Sequence, residues 1–130
     1  MTLFVDASAI IAILAGEPDR EQLVARLVGE ELLWSPLSQW EAIVGLAKAV
    51  RVDLDEALRR VFAFGEDWRI RMVAIGENEG GIALQAHSLY GKGNHPAALN
   101  FGDCFAYACA SANNARLLYK GNDFSQTRLA

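Results

Sequence analysis

Short apolar runs alternate along this chain with segments of helical periodicity, and this alternation constrains the fold more than any other feature. The apolar runs are typical of buried strands and cover 3–5, 32–34, 71–75 and 116–119. The segments between them predict helices over 7–15, 19–28, 38–50, 53–64, 81–90 and 100–112. Strands separated by helices form βαβ units, so the pattern predicts an α/β fold with a central parallel sheet.

Length and composition narrow the class of protein. The 130 residues predict one domain over 1–130, and a hydrophobic content of 52% excludes a disordered chain. A net charge of −4 excludes a globally basic nucleic-acid binder but is compatible with a local basic patch. The sequence contains no apolar stretch long enough to span a membrane, and the start Met1–Asp6 has no basic segment typical of a signal peptide. We therefore expect a cytoplasmic protein, with Cys104 and Cys109 reduced and buried.

Four acidic residues form the candidate site. Asp6 follows the first predicted strand and Asp123 follows the last, so both are expected at the carboxyl edge of the sheet, where ligands bind. Glu41 and Asp103 lie early in two helices among apolar or small neighbours, where an unpaired carboxylate is costly. Mg²⁺ and Mn²⁺ prefer such oxygen ligands, activate water and stabilise phosphoryl oxygens. The pattern predicts a divalent-cation site for phosphoryl chemistry.

Each acid also has a structural interpretation. Ser38–Glu41 matches a capping box, and Asn100–Asp103 is a looser version of the same arrangement. Asp6 is suited to cap the first helix, and Asp123 is suited to close an Asx turn. These interpretations stay open at this level.

Two phosphotransfer classes also place an aspartate after the first strand. Haloacid-dehalogenase-like enzymes carry a second aspartate two residues later, where this chain has Ser8. Receiver domains carry an acidic pair in the first loop, and Asp6 has no acidic neighbour. Both classes are therefore disfavoured.

Four segments resemble the PIN-domain family, most closely the VapC-type toxins of toxin–antitoxin pairs. They are FVDASAIIAIL, SQWEAIVGL, HPAALNFGDCFAYACA and LLYKGNDFSQT, and the resemblance runs from about Leu3 to Thr127. It implies an α/β/α sandwich and a Mg²⁺- or Mn²⁺-dependent ribonuclease that acts on tRNA or other structured RNA. It further implies a homodimer and a cognate VapB-like antitoxin that covers the active site.

The resemblance also implies roles for individual residues. The metal-binding and catalytic acids of the family match Asp6, Glu41, Asp103 and Asp123. A small hydroxyl residue often near the site matches Ser8, which is therefore a candidate for substrate binding. Close relatives often carry an acid where this chain has Arg128, which leaves open whether Asp123 is a direct ligand. A catalytically inactive PIN-like module that binds RNA or a partner is the alternative, and the four occupied acidic positions favour an enzyme.

Basic residues near these motifs are candidates for RNA binding. Lys48 follows Glu41 by seven positions and shares its helix face, while Lys92 and His95 lie in the loop 91–96 that leads towards Asp103. Lys120 directly follows the last strand.

Two further features concern packing and partners. The segment 53–68 carries apolar residues beside charges and is a candidate antitoxin or dimer surface. Trp34 and Trp40 flank the start of the Glu41 helix, where a tryptophan is either a core residue or an exposed anchor for a partner; the core is expected for both.

Overall fold

Four short strands and six helices alternate in the part of the chain that the structure describes. A computed structural model describes residues 1–121, 124–125 and 127–128, so Asp123 lies outside the described residues. The strands are β1 (Thr2–Val5), β2 (Glu31–Trp34), β3 (Arg71–Met72) and β4 (Arg116–Leu118). The helices are α1 (Ala7–Leu14), α2 (Arg20–Leu27), α3 (Pro36–Val50), α4 (Leu54–Asp67), α5 (Glu77–Tyr90) and α6 (Phe101–Ala112).

The sheet is parallel throughout, with the strand order β3-β2-β1-β4. In its register, Phe4 lies between Leu33 of β2 and Leu117 of β4. The chain runs outward from β1 to β3 and then returns to β4 on the other side of β1. The topological switch point therefore lies between the carboxyl ends of β1 and β4, which is where open α/β sheets bind ligands.

Helices cover both faces of the sheet. Successive residues of β1 point to opposite faces, so Leu3 and Val5 pack into a core with α1 to α4. Phe4 packs into a second core formed largely with α5 and α6. These two cores confirm the predicted α/β/α sandwich.

Several element boundaries differ from the prediction because of capping. Helix α3 begins at Pro36 because Ser35 is its N-cap and its hydroxyl accepts a 3.1 Å hydrogen bond from the backbone N–H of Ser38. Helix α5 begins at Glu77 because the Glu79 carboxylate accepts a 2.7 Å hydrogen bond from the backbone N–H of Gly76. The third strand is shorter than predicted, since only its first two residues pair in register with β2.

The structure also tests the smaller sequence predictions. Cys104 and Cys109 are both free and buried, as predicted. Trp34 is buried in the core, but the prediction for Trp40 was wrong, since its side chain is 61% exposed. The buried face of α3 carries residues such as Ala42 and Leu46, and Trp40 lies away from that face. Within the described chain, no helix combines the length and apolar character needed to cross a membrane.

Candidate active site

Asp6 occupies the switch point of the sheet. Its backbone N–H donates a 2.9 Å hydrogen bond to the carbonyl of Leu118, which joins the end of β1 to the end of β4. Its side chain is the N-cap of α1, and Oδ2 accepts a 3.0 Å hydrogen bond from the backbone N–H of Ser8. The predicted capping role is confirmed, and the buried carboxylate is thereby held at the carboxyl edge of the sheet.

Ser8 connects Asp6 to the last strand. Its hydroxyl donates a 2.5 Å hydrogen bond to Oδ2 of Asp6 and accepts a 2.9 Å hydrogen bond from the backbone N–H of Lys120. The hydroxyl hydrogen is therefore used within the protein. Ser8 thus positions the Asp6 carboxylate, although its sequence position made it a candidate for substrate binding.

Glu41 lies in the second turn of α3 and faces the same edge. The predicted Ser38–Glu41 capping box was wrong, because Ser35 and Ser38 form the box one turn earlier. The Glu41 carboxylate is thus not engaged in capping α3. Burial raises its pKa above the ordinary value of 4.5, and the negative charge of Asp6 raises it further. The charges of the two carboxylates therefore repel each other.

Gly102 makes room for Glu41 at the start of α6. A Cβ atom at this position would lie 2.7 Å from Cδ and 2.8 Å from Oε1 of Glu41, closer than real contacts allow. This role was not predicted from the sequence. A glycine directly before a candidate ligand, in the first turn of a helix, was the available signal.

Asp103 follows Gly102 and is also buried. Its Oδ2 accepts a 3.1 Å hydrogen bond from the backbone N–H of Asn100, while Asn100 Oδ1 accepts a 2.9 Å hydrogen bond from the N–H of Asp103. This reciprocal pair confirms the predicted capping box of α6. It orients the carboxylate one residue from the contact between Gly102 and Glu41.

The donor set fits a divalent cation that keeps much of its water. Within residues 1–121, 124–125 and 127–128, no three His, Cys, Asp or Glu side chains converge as a complete metal cage. Mg²⁺ usually binds through one or two carboxylates and retains several waters, so it does not need such a cage. Burial and then the charge of Asp6 disfavour the charged form of Glu41, and a bound cation would offset both effects.

The four candidate RNA-binding residues differ in their surroundings. Lys48 is exposed in the last turn of α3, and Lys92 is exposed after α5. His95 is half-buried, accepts a 3.0 Å hydrogen bond from the backbone N–H of Ala97 through Nδ1, and packs edge-on against Tyr90. His95 therefore stabilises its turn.

Lys120 is held by the α1–α2 connection. Its ammonium group forms an ion pair with Glu17 and lies 3.6 Å from Oδ1 of Asp19. The hydrogen bond that Lys120 donates to Glu17 raises the pKa of Lys120, and the charges of both acids add to this effect. Contact with a substrate would require these ion pairs to break.

Comparisons with known proteins agree with this architecture. The PIN domain family model matches residues 3–129. A VapC ribonuclease of Rhizobium meliloti is 46% identical over 139 aligned positions, covering 97% of this chain and 98% of that protein. Ribonuclease VapC30 of Mycobacterium tuberculosis is 35% identical, covering 98% of this chain and 96% of the relative.

Solved structures share the fold at lower sequence identity. The sarcin-ricin loop cleaving toxin VapC20 of M. tuberculosis superimposes with a TM-score of 0.76 at 16% identity, covering 98% of this chain and 96% of that one. A toxin–antitoxin complex from Klebsiella pneumoniae gives a TM-score of 0.71 at 17% identity, with coverage of 98% and 93%. With its parallel sheet, its acidic edge and its full-length similarity to these relatives, the chain belongs to the PIN-domain family and, within it, to the VapC ribonucleases.

Proposed function

We propose that this VapC ribonuclease, the toxin of a toxin–antitoxin pair, cleaves RNA at the carboxyl edge of its sheet. Asp6, Glu41 and Asp103 form the site, and Asp123, which lies outside the described residues, completes it as the family resemblance implies. The single observation that carries the proposal is that buried Asp6 lies at the switch point, bonded to Leu118 at the end of β4, while the Glu41 carboxylate lies against Gly102, next to Asp103. Residues 1–130 act as one domain.

The cation proposed for this site is Mg²⁺, with Mn²⁺ also accepted, since VapC ribonucleases of the PIN family depend on a divalent metal. Asp6 and Glu41 are its principal ligands, with Asp103 and Asp123 beside them. When bound, the cation lowers the pKa of a water molecule and stabilises charge on the scissile phosphate and on the leaving oxygen.

The chain itself supplies position and orientation. Ser8 fixes Oδ2 of Asp6, and the capping box of α6 fixes Asp103. Gly102 admits the Glu41 carboxylate to the same edge. Because these contacts hold the acidic side chains in place before the substrate binds, the site needs little rearrangement when the phosphate arrives.

The substrate is RNA, of which structured RNA such as tRNA is the proposed class. Lys48 and Lys92 are exposed cations suited to phosphate contacts, and His95 shapes the loop beside Lys92. Action on cellular RNA implies the cytoplasm as the working compartment.

A VapB-like antitoxin is the proposed regulatory partner, and the active form is a homodimer. Solved neighbours of this fold include a toxin–antitoxin complex and VapBC2 of Rickettsia felis bound to a promoter fragment. On this chain, α4 exposes Leu54, Leu58 and Phe62 at four-residue spacing. This apolar stripe lies in the segment predicted as a partner surface and suits an antitoxin helix.

The decisive experiment is RNA cleavage by the purified chain, free of antitoxin, with Mg²⁺, with Mn²⁺ and with EDTA. Asp6→Asn should abolish cleavage, whereas Asp55→Asn, which removes the same charge from an exposed position on α4, should not. Cleavage that survives in Asp6→Asn would overturn the site assignment. RNA binding without turnover in any metal would make the chain a binding module instead.

A further inference from the structure

An open groove of about 450 Å³ lies where the start of α3 meets the end of α4, and we call it the α3–α4 groove. Its lining combines aromatic, amide and charged side chains, from Trp34, Gln39, Phe62, Glu66 and Arg69. Gln39 comes two residues before Glu41 on α3, so the two lie about 200° apart around the helix. The groove therefore lies across α3 from the acidic site, and the helix that separates them is about 10 Å in diameter.

Two aromatic rings give the groove flat apolar surfaces. Trp34 is buried, and a Cβ atom built on Gly65 would lie 2.6 Å from Cη2 and from Cζ2 of its indole. The glycine inside α4 thus lets the indole pack directly against the helix backbone at the groove. Phe62 lines the same groove and is 46% exposed. Exposed aromatic rings are surfaces on which unpaired RNA bases stack.

The polar side chains of the groove have no partner in the described part of the chain. Gln39, Glu66 and Arg69 form no side-chain hydrogen bond or ion pair with any other described residue. A ligand can therefore use their donors and acceptors without breaking an internal contact. A cation, a carboxylate and an amide beside aromatic rings are the groups with which proteins recognise the edge of a base.

The backbone conformation of Arg69 gives no reason for an arginine at this position. Helix α4 ends in a Schellman motif, in which the N–H of Ile70 donates a 2.9 Å hydrogen bond to the carbonyl of Gly65. The N–H of Arg69 donates a 3.2 Å hydrogen bond to the carbonyl of Glu66. This motif holds Arg69 in the left-handed region, with a φ of 54°. Glycine adopts that conformation at lower cost, so the side chain accounts for the arginine better than the backbone does.

We propose that the α3–α4 groove binds an unpaired guanine base of the substrate RNA, an inference that rests on the proposed function as a ribonuclease. The Watson–Crick edge of guanine carries two adjacent donors, N1–H and the N2 amino group, which match the acceptors of the Glu66 carboxylate. The O6 and N7 atoms of guanine are acceptors, which match the donors of the Arg69 guanidinium. Phe62 provides a ring for stacking.

Charge complementarity favours guanine over the other bases. Adenine and cytosine carry an acceptor at the ring nitrogen where guanine carries a donor, so that nitrogen would face the Glu66 carboxylate unfavourably. Uracil has a ring donor but lacks the adjacent amino group. An apolar side chain of a protein partner would bury Glu66 and Arg69 without partners, which costs free energy. Phe62 also ends the apolar stripe of α4, so an antitoxin helix on that stripe would compete with the base.

The test is titration of the purified full chain, in EDTA, with the four nucleoside 5′-monophosphates, followed by ¹H–¹⁵N NMR. The phosphate is common to all four, so differences in affinity report on the base. GMP should bind about 10-fold more tightly than AMP, CMP or UMP, as expected for one additional hydrogen bond to a charged group. The indole N–H of Trp34 and the backbone N–H groups of Arg69 and Ile70 should shift. Neither metal nor cleavage is involved, so a chain that cleaves RNA but does not prefer GMP would contradict only the guanine site.

Two analogues assign the contacts to individual side chains. Inosine monophosphate lacks the N2 amino group and should bind wild type about 10-fold more weakly than GMP does. Glu66→Ala should abolish this difference, whereas Glu21→Ala, at an exposed acid of α2, should keep it. 7-Deaza-GMP lacks the N7 acceptor and should bind wild type more weakly than GMP, whereas Arg69→Gly should bind both equally.

Arg69→Gly also separates base binding from stability. Glycine favours the left-handed conformation, so the melting temperature should rise while the affinity for GMP falls about 10-fold. The matched control is Arg51→Gly, because Arg51 ends α3 with a φ of 57° and is not among the residues that line the groove. This control should gain stability and bind GMP as the wild type does.

Three results would overturn the guanine site. The first is equal affinity for the four nucleotides, and the second is an equal effect of Arg69→Gly and Arg51→Gly on GMP binding. The third is the absence of GMP binding at the groove, which would make the groove a protein surface continuous with the apolar stripe of α4.

Discussion

The carboxylate of Glu41 on α3 occupies the space that a side chain at residue 102 on α6 would fill. A Cβ on Gly102 would lie 2.7 Å from Cδ of Glu41, so the glycine sets how closely the two helices approach the acidic edge. Gly102 thus places Glu41, one proposed metal ligand, against the helical turn that carries Asp103, another proposed ligand.

Gly102→Ala should therefore impair catalysis without removing any ligand. The new methyl group displaces Glu41, and a misplacement of about 1 Å can cost about 100-fold in rate. Cleavage assays over a Mg²⁺ titration check this, with Gly81→Ala as the control because its Cβ meets open space. Full activity in Gly102→Ala would show that Glu41 need not occupy its present position.

Ser8→Ala should weaken the site through Asp6. The change removes the hydroxyl that joins Asp6 to the backbone of Lys120, which should cost roughly 1 kcal/mol of stability. Activity or metal affinity should fall about 10-fold, as is usual when the partner of a metal ligand is lost. Cleavage at several Mg²⁺ concentrations measures both effects.

Two variants separate positioning from mere stability. Ser8→Thr keeps a hydroxyl and should recover most of the activity, whereas exposed Ser88→Ala should change neither property. Equal activity of Ser8→Ala and wild type at low Mg²⁺ would remove Ser8 from the site.

The alternation of elements was sufficient to predict an α/β fold with a central parallel sheet, whereas the α/β/α sandwich was implied by the family resemblance. The apolar run before Asp6 is a buried central strand, and the switch point follows from the order of the strands. Helix starts were less predictable. The capping box of Ser35 and Ser38 places the start of α3 at Pro36, before the first residue of its apolar periodicity. The glycine before Asp103 was a local signal for a close approach, but its partner Glu41 could not be predicted, because it is distant in sequence and adjacent only after folding.

Glu41→Gln should stabilise the metal-free protein in a pH-dependent way. The pKa of Glu41 is raised in the folded state by burial and then by Asp6, so the folded protein binds this proton more tightly than the unfolded chain. The wild type therefore loses this contribution as pH rises from the ordinary value of 4.5 through the raised pKa. Glutamine carries no charge, so the variant avoids the loss.

Thermal unfolding in EDTA from pH 4 to pH 8 measures the effect on stability. The melting temperature of Glu41→Gln should exceed that of wild type increasingly with pH and then by a constant amount, and Mg²⁺ should stabilise the wild type more. Exposed Glu66→Gln is the control and should follow the wild type. A wild-type advantage at high pH without metal would contradict the repulsion between Asp6 and Glu41.

Asp103 combines a capping role with a proposed ligand role, and two substitutions distinguish them. Asp103→Asn keeps an oxygen that can accept from the N–H of Asn100, so metal-free stability should be retained or increased. Asp103→Ala also loses that acceptor and should cost about 1 kcal/mol. Both variants should lose cleavage, and melting curves in EDTA beside activity assays test the pair. A large loss of stability in Asp103→Asn would mean that the charge matters mainly for capping.

Lys48 and Lys120 should contribute unequally to RNA binding. Lys48 is exposed on α3, whereas the ammonium group of Lys120 is already paired with Glu17 and Asp19. Lys48→Glu should therefore weaken RNA cleavage more than it changes the melting temperature. Lys48→Met should reduce the slope of log KM against log salt by about 1, as expected for the loss of one phosphate contact.

Lys120→Met should leave that slope unchanged, and it should lower stability, because Glu17 and Asp19 lose their shared cation. Cleavage at several salt concentrations, paired with melting curves, measures both quantities. The reverse order, with a salt effect only at Lys120, would mean that RNA displaces the ion pairs and that Lys48 lies off its path.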